Sequence, residues 1–339
     1  MEYINPTITS INDLKQYFGH RSNLTWQEIE IFPVPLSEVA VSCCQTDYGK
    51  FANTDFFVSG NQTDTLTIVV GESWCYGGKQ RDMKHDSTES PESFAKALTT
   101  TMGSQLAHYT RSDLRQNAFP GDNTSNIVRK VGNLLAEYAD SDYTTINVCV
   151  QMSDVIREAG VYCSLEPDDH VLDMIDRGQQ GDRWDSPEAW LKEYESGYLD
   201  KLESFRANHT GKQKVNITMW KNFTPWCLTK SERSQWQNIC TIDDCWINYL
   251  SAQEGYPVNI NLFNNPASVD RNCKDAVANV SDISDEVIND ELARIERLHH
   301  YWENVSPHRA GLSVHYPSAT AHADWALKIT RESNWFKES

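Results

Sequence analysis

Three apolar, β-branched runs constrain the fold of this chain more than any other feature of its sequence. They span Thr65–Val70 (TLTIVV), Thr145–Met152 (TINVCVQM) and Val215–Trp220 (VNITMW). Continuous apolar runs of this length are typical of strands that are buried on both faces of a parallel sheet. Because helical patterns separate the runs, the sequence predicts an α/β fold whose sheet is flanked by helices on both faces.

Helical periodicity predicts most of the remaining regular structure. The predicted helices are Pro91–Met102, Asn123–Tyr138, Pro187–Glu203, Ser281–Tyr301 and 319–331. In the second of these, Ile127, Val131 and Leu134 recur on one face, as expected for a helix that packs on a sheet.

The chain divides into a core domain and three less regular parts. Residues 1–64 form an N-terminal extension packed on the core, with short strands predicted at Ile29–Val34 and Val39–Ser42. The core domain spans 65–331 and carries a polar, acidic insertion at about 157–213, and residues 332–339 form a tail. The insertion is expected to cap a cleft or to form a homo-oligomer contact.

Charge excludes two classes of partner. The 30 Lys and Arg residues face 48 Asp and Glu residues, which gives a net charge of −18. A chain this acidic lacks the basic surface that nucleic-acid backbones and anionic membranes require. No apolar run approaches the roughly 18 residues that cross a bilayer. The first 20 residues have neither a basic start nor an apolar core, so we expect no secretory signal and a cytoplasmic location.

The cysteines predict reduced thiols and no metal site. There are nine of them, and no C-x-x-C pair occurs. Cys240 and Cys245 flank Asp243 and Asp244, but no second ligand pair at zinc-like spacing follows. The acidic insertion is likewise read as a solvated surface, with metal binding as the less favoured alternative.

The residues that follow each buried strand are the candidates for chemistry. In open α/β sheets, ligands bind beyond the carboxyl ends of the strands. The first strand is followed by Gly71-Glu72-Ser73. A serine on such a tight turn is either an exposed nucleophile or a helix cap, and the residues alone leave both open.

Other strand ends and loops add polar candidates. Gly121, in a Pro-Gly turn that opens a helix, offers a free backbone N–H, and Ser153 follows the second strand. Asn222 and Trp226 follow the third strand and are candidates for substrate binding. Each of these residues also has a purely structural interpretation, as part of a helix start or of a packed turn.

Two histidines near the C-terminus are candidate general bases. His315 lies on a loop just before the last helix, in the sequence His315-Tyr316-Pro317-Ser318. This position suits a general base, and His322 is the second candidate.

These four segments, taken in order, resemble the conserved blocks of the SGNH, or GDSL-like, hydrolases. Gly71-Glu72-Ser73 looks like the G-D-S block, Asn117–Gly121 like the second block, and Gln151–Asp154 like G-x-N-D. His315 to Ser318 looks like the final H-P-S block, and the resemblance covers roughly residues 65–331. It implies a flavodoxin-like three-layer α/β/α sandwich with a mostly parallel sheet.

The resemblance also implies roles for individual residues. Ser73 would be the nucleophile and His315 the general base. The Ser73 and Gly121 amides and the Ser153 hydroxyl would form the oxyanion hole. No metal and no organic cofactor is implied, because serine chemistry needs neither.

The chain departs from the family pattern at four positions. Glu72 replaces Asp, Ser153 replaces Asn, and Tyr316 is inserted after the histidine. Leu312 stands where the triad aspartate is expected, so the acid that would orient the imidazole is missing, comes from elsewhere or is replaced by a backbone carbonyl.

The expected function is that of a serine esterase that deacylates a polar or carbohydrate-like ester. The alternatives are a catalytically altered binding or structural protein on the same fold, and an acyltransferase. The residues of these blocks resemble those of divergent family members encoded by large bacteriophages. A bacteriophage origin would place the protein in a host cytoplasm.

Overall fold

The structure is a computed structural model that describes part of the chain. The described residues are 28–32, 55–59, 63–76, 101–119, 122–153, 169–170, 173–174, 177, 187–222, 225–246, 249 and 319–333. The strands are β1 (Glu28–Phe32), β2 (Asp55–Ser59), β3 (Thr65–Gly71), β4 (Asp113–Ala118), β5 (Thr145–Met152), β6 (Lys214–Lys221) and β7 (Ile239–Thr241). The helices are α1 (Ser73–Tyr76), α2 (Met102–Thr110), α3 (Thr124–Glu137), α4 (Pro187–Ala207), α5 (Lys230–Arg233) and α6 (Ala319–Glu332).

The strands form one mostly parallel sheet. Their order is β1-β2-β4-β3-β5-β6-β7. From β4 to β7 all neighbours are parallel, whereas β1 and β2 add to the β4 edge as antiparallel strands. Counted along the chain, the five parallel strands have the order 2-1-3-4-5, which is the flavodoxin-like arrangement. The topology confirms the predicted fold class.

One face of the sheet packs against α3 and α4 and forms the main core. Alternate residues of β3, β5 and β6 point to this face, and α3 and α4 cover them with aliphatic and aromatic side chains. The buried strand residues on this face are Leu66, Ile68, Val70, Ile146, Val148, Val150, Met152, Ile217 and Met219. The opposite face of these strands is buried as well, and it carries polar side chains such as Asn147, Gln151 and Thr218 beside apolar ones.

Helices α2 and α6 cover the second face and contact each other. Gly103 of α2 lies close to Val69, and a Cβ built on it would come within 3.3 Å of that side chain. The ring centroids of Trp220 on β6 and Trp325 on α6 lie 6.5 Å apart. Helices on both faces make the molecule the three-layer sandwich that the sequence predicted.

Most predicted elements that fall in the described residues match the observed ones, but the predicted helix Pro91–Met102 ends where α2 begins. The runs at 65–70, 145–152 and 215–220 are strands, and the segments at 123–138, 187–203 and 319–331 are helices. The predicted strand Val39–Ser42, the helix Ser281–Tyr301 and residues 91–100 of another helix lie outside the described residues. No helix among the described ranges is long and apolar enough to cross a membrane.

Strand β4 is buried although its sequence, DLRQNA, is polar. Three of its polar side chains have hydrogen-bond partners: the Tyr143 hydroxyl donates to Asp113 at 2.7 Å, and Arg115 Nη2 donates to Asp55 at 2.9 Å. Gln116 Nε2 donates to the carbonyl of Cys75 at 3.1 Å. Sequence patterning misses this strand because much of its buried surface is polar and is satisfied by hydrogen bonds to distant residues.

We predict that Val148→Ala lowers the free energy of unfolding by about 2 kcal/mol, because it removes two methyl groups from a fully buried site. Val215→Ala is the matched control, since Val215 lies on β6 but is only partly buried against the same core. Its loss should be no more than about half as large. Urea unfolding followed by circular dichroism measures both, and equal losses would contradict this account of the core.

Candidate active site

The candidate site lies at the point where the strand order reverses, so that later strands are added on the other side of β3. Strand β3 is central, with β4 on one side and β5 on the other. The connections that leave these strands therefore diverge and open a crevice at the carboxyl end of β3, where ligands bind in doubly wound sheets. Glu72 and Ser73 directly follow this strand.

Gly71 is required at the end of β3 because the space beside it is already filled. A Cβ at this position would lie 2.6 Å from the Cys75 sulfur and 2.7 Å from Gln151 Oε1. Gln151 fills this space while its Oε1 accepts the Cys75 N–H at 3.2 Å. The glycine thus lets the end of β5 approach the turn that carries Ser73.

The carboxylate of Glu72 is the hub of the site. The side chain is only 1% exposed. Its Oε1 accepts hydrogen bonds from Gln151 Nε2 and from Asn222 Nδ2, each at 2.7 Å. Its Oε2 accepts the Ser73 N–H at 2.7 Å and also the Ser73 hydroxyl. Residues from the ends of three strands are therefore connected through one buried carboxylate.

Ser73 is the first residue of α1, and Glu72 performs the capping. The Glu72 carboxylate accepts N–H groups of the first turn, from Ser73 at 2.7 Å and from Trp74 at 3.4 Å. The Ser73 hydroxyl accordingly does not act as a helix cap, because it donates a hydrogen bond to the Glu72 carboxylate. The Ser73 N–H, which the family resemblance assigns to an oxyanion hole, is committed to the same carboxylate in this structure.

Ser73 has no competing nucleophile in Cys75. The thiol of Cys75 is fully buried two residues further along the chain. Burial raises the pKa of this thiol well above its usual value, and the nearby Glu72 carboxylate raises it further. The thiol therefore stays protonated and unreactive, because only the thiolate attacks.

Ser153 and Asn222 lie side by side at the ends of β5 and β6. The parallel register pairs Met152 with Lys221, so these two residues are the next positions along each strand. Both are 3% exposed. Neither Ser153 Oγ nor Asn222 Oδ1 has a hydrogen-bond partner in the structure as described. An unpaired buried polar atom costs about 1–3 kcal/mol, which makes two neighbouring ones a feature that needs an explanation.

A buried ion pair fixes the segment that carries Asn222 and Trp226. Lys221 Nζ lies 2.7 Å from Glu195 Oε1, and the same carboxylate accepts the N–H groups of Cys227 and Leu228. Trp226 Nε1 donates to the carbonyl of Ile242 at 2.8 Å. The indole N–H of Trp226 therefore has a structural partner, which leaves only its ring for the predicted contact with substrate.

His322 is held in a different role from that of a general base. Its Nδ1 accepts the N–H of Met102, the first residue of α2, at 3.0 Å. Full burial lowers its pKa to about 3, so the ring is neutral near pH 7. With Nδ1 occupied as an acceptor, the single ring proton resides on Nε2. His322 therefore has no lone pair left to take a proton from Ser73.

Several positions of the sequence prediction lie outside the described residues. These are Gly121, Leu312, His315 and Tyr316. The residue after Gly121 is described: Asp122 is fully buried, and its carboxylate lies 2.8 Å from Lys130 Nζ. The start of α3 is also tied to the candidate site, because Thr124 Oγ1 donates to the carbonyl of Ser153 at 3.1 Å.

The sequence did not reveal the role of Gln151 or the central position of Glu72. The family resemblance assigns no role to Gln151, and it places Glu72 only as a replacement for aspartate. One usable signal was present, since a glutamine at the end of an otherwise apolar strand needs a polar partner. For the described part of the chain, no group of three His, Cys, Asp or Glu side chains is arranged to hold a metal ion.

Comparisons with known proteins return distant structural likenesses. A G-D-S-L-family protein from Desulfitobacterium hafniense is 9% identical, covers 78% of this chain and 98% of its own, and has a TM-score of 0.29. The α/β hydrolase LAE5 from the metagenome of Lake Arreo, Spain, is 13% identical, with coverages of 80% and 95% and a TM-score of 0.32. An acetylxylan esterase from Geobacillus stearothermophilus is 14% identical, with coverages of 80% and 94% and a TM-score of 0.30.

Similarity at this level does not extend to function. With TM-scores this low, the likenesses support no inference about the activity of this chain. No family model matches the chain, and no curated protein matches it. A function must therefore be argued from the residues of the chain itself.

The buried histidine predicts a specific dependence of stability on pH. Unfolded, His322 binds a proton below its ordinary pKa of about 6.5, whereas the folded protein binds it only near pH 3. Between these values the unfolded chain holds the extra proton, so the free energy of unfolding falls as the pH falls. The slope is at most about 1.4 kcal/mol per pH unit.

His322→Asn should remove this contribution, because the amide oxygen can still accept the Met102 N–H but does not titrate. We expect the variant to lose less stability than the wild type between pH 7 and pH 5. Urea unfolding at several pH values, with each protein normalised to its own stability at pH 8, measures the difference. Parallel curves would show that His322 is not buried in its neutral form.

Proposed function

We propose that the protein is a serine ester hydrolase that forms an acyl-enzyme on Ser73. The observation that carries the proposal is the position of Ser73, directly after the central parallel strand at the reversal point of the sheet. Its hydroxyl donates to a buried carboxylate, and unpaired polar atoms end the next two strands. This combination supports nucleophilic catalysis better than a purely structural role.

The proposed reaction has two steps. Ser73 Oγ attacks the ester carbonyl, its proton passes to a general base, and the protonated base returns that proton to the departing alcohol as the C–O bond breaks. Water then attacks the acyl-enzyme in the same way and releases the acid and free Ser73. His315 is the proposed base, following the family resemblance.

The proposed oxyanion hole uses Ser153 and Gly121. The Ser153 hydroxyl is buried and lacks a partner among the residues described, so it is available to donate to a developing oxyanion. The Gly121 amide is the second donor in the proposal. The Ser73 amide can contribute only if it leaves Glu72 Oε2, to which it now donates at 2.7 Å.

Glu72 is a second candidate acceptor for the Ser73 proton. A hydroxyl has one proton, and in this structure it is directed at Glu72 Oε2. If His315 is the base, binding of substrate must turn the proton toward the imidazole. A His315→Ala variant distinguishes the two, because loss of a general base costs about 100-fold or more in kcat. Activity that survives the substitution would assign the role to Glu72.

The contact between Ser73 and Glu72 also favours an alternative function, that of a binding protein. With both donor groups of Ser73 held by Glu72, the site also suits a binding protein that does not turn its ligand over. The third possible function is transfer of the acyl group to an alcohol, which shares the acyl-enzyme step with hydrolysis. Product analysis with an added alcohol acceptor separates it from hydrolysis.

We predict that a fluorophosphonate probe labels Ser73 and that Ser73→Ala abolishes both labelling and hydrolysis of acetate esters. The loss in kcat should be about 1000-fold or more, because the nucleophile itself is removed. Mass spectrometry of the labelled peptide and a pH-stat assay measure the two effects.

Ser112→Ala is the matched control for this substitution. Ser112 is also buried, but it lies before β4 at the opposite end of the sheet and bonds to Thr67. This variant should label and hydrolyse like the wild type. A wild-type protein that folds but neither labels nor hydrolyses would favour the binding protein instead.

A further inference from the structure

The carbonyl oxygen of Asn222 is the one feature of the site that ester hydrolysis leaves unexplained. Asn222 Nδ2 donates to Glu72 Oε1 at 2.7 Å. This contact fixes the orientation of the amide, since the reversed amide would place an oxygen against the carboxylate. The remaining atom, Oδ1, is therefore a true acceptor, and it accepts a hydrogen bond from no residue that the structure describes.

Gln151 shows what a purely structural amide looks like at the same carboxylate. Its Nε2 also donates to Glu72 Oε1 at 2.7 Å, but its Oε1 accepts the Cys75 N–H at 3.2 Å. Both ends of Gln151 are thus satisfied within the protein. Asn222 has the same donor contact, yet its acceptor end is open.

An ester bond cannot satisfy Asn222 Oδ1. Both oxygens of an ester are acceptors, and Oδ1 requires a hydroxyl or N–H donor. Water can fill this position in the free protein, but a substrate that displaces the water must replace its hydrogen bond or lose affinity. The donor must therefore come from a part of the substrate next to the ester.

We infer that Asn222 Oδ1 accepts a hydrogen bond from a free hydroxyl adjacent to the scissile ester, so that the site selects partially acylated polyols or sugars over simple alkyl esters. This inference rests on the proposed function and names the group that sets its substrate class. Ser153 supports it, because its unpaired hydroxyl occupies the neighbouring position at the end of β5. Ser153 would donate to the oxyanion, and Asn222 would accept the hydrogen bond from the substrate hydroxyl.

The test uses two esters of equal size. 2-Hydroxyethyl acetate and propyl acetate differ by a hydroxyl in place of a methyl group. We expect wild-type kcat/KM to favour the hydroxy ester by about 10- to 100-fold, since a site built to bond a hydroxyl discriminates against its absence. Asn222→Leu, which keeps a similar volume, should bring the ratio close to one.

Gln151→Met is the matched control, because it removes the same kind of donor from the same Glu72 oxygen and leaves Asn222 in place. It should lower kcat/KM for both esters alike and retain the ratio. A ratio that survives in Asn222→Leu, or that collapses equally in Gln151→Met, would overturn the inference. Should Asn222→Leu fail to fold, the wild-type ratio decides, and a value near one overturns the inference.

The outcomes separate this inference from the proposed function. Equal hydrolysis of the two esters, with activity that depends on Ser73, would leave the esterase in place and remove the role of Asn222. Absence of labelling and of hydrolysis of either ester would remove the proposed function and with it the inference.

Discussion

The buried carboxylate of Glu72 is the interaction on which the candidate site depends. A charge removed from water is costly unless it is fully hydrogen-bonded, and here its partners come from different strand ends. Gln151 ends β5, Asn222 follows β6 and Ser73 begins α1. These hydrogen bonds form together when the three strand ends lie in register. One buried carboxylate therefore couples the assembly of the sheet to the position of Ser73.

The sequence predicts those strands whose burial is apolar, and it misses a strand whose buried side chains are mostly polar. Strands β3, β5 and β6 bury aliphatic side chains in the main core, and their sequences show it directly. Strand β4 is held by polar contacts such as that of Arg115 with Asp55, which lie 60 residues apart in the chain. A local pattern does not reveal such a partner, and for that reason the sequence predicts no strand at β4.

The candidate site divides in the same way. Ser73, Ser153 and Asn222 could be located from sequence because each follows a recognisable strand, and a parallel sheet gathers strand ends at one edge. The roles of Glu72 and Gln151 could not, because their hydrogen bonds join residues 79 and 150 positions apart. The histidines show a further limit. Sequence marks His322 as a candidate base, and only its contact with the Met102 N–H identifies it as a group that satisfies a helix end.

The antiparallel pairing of β2 with β4 has a consequence for how the protein can be handled. Strand β2 lies before the predicted core domain in the chain, and it occupies the outer hydrogen-bonding side of β4 from Asp55 to Val58. Trimming the chain to its recognisable core would leave a row of unpaired N–H and C=O groups on β4. Exposed edges of this kind recruit strands from other molecules. Strand β2 thus covers a side of β4 that would otherwise be open to pairing with another molecule.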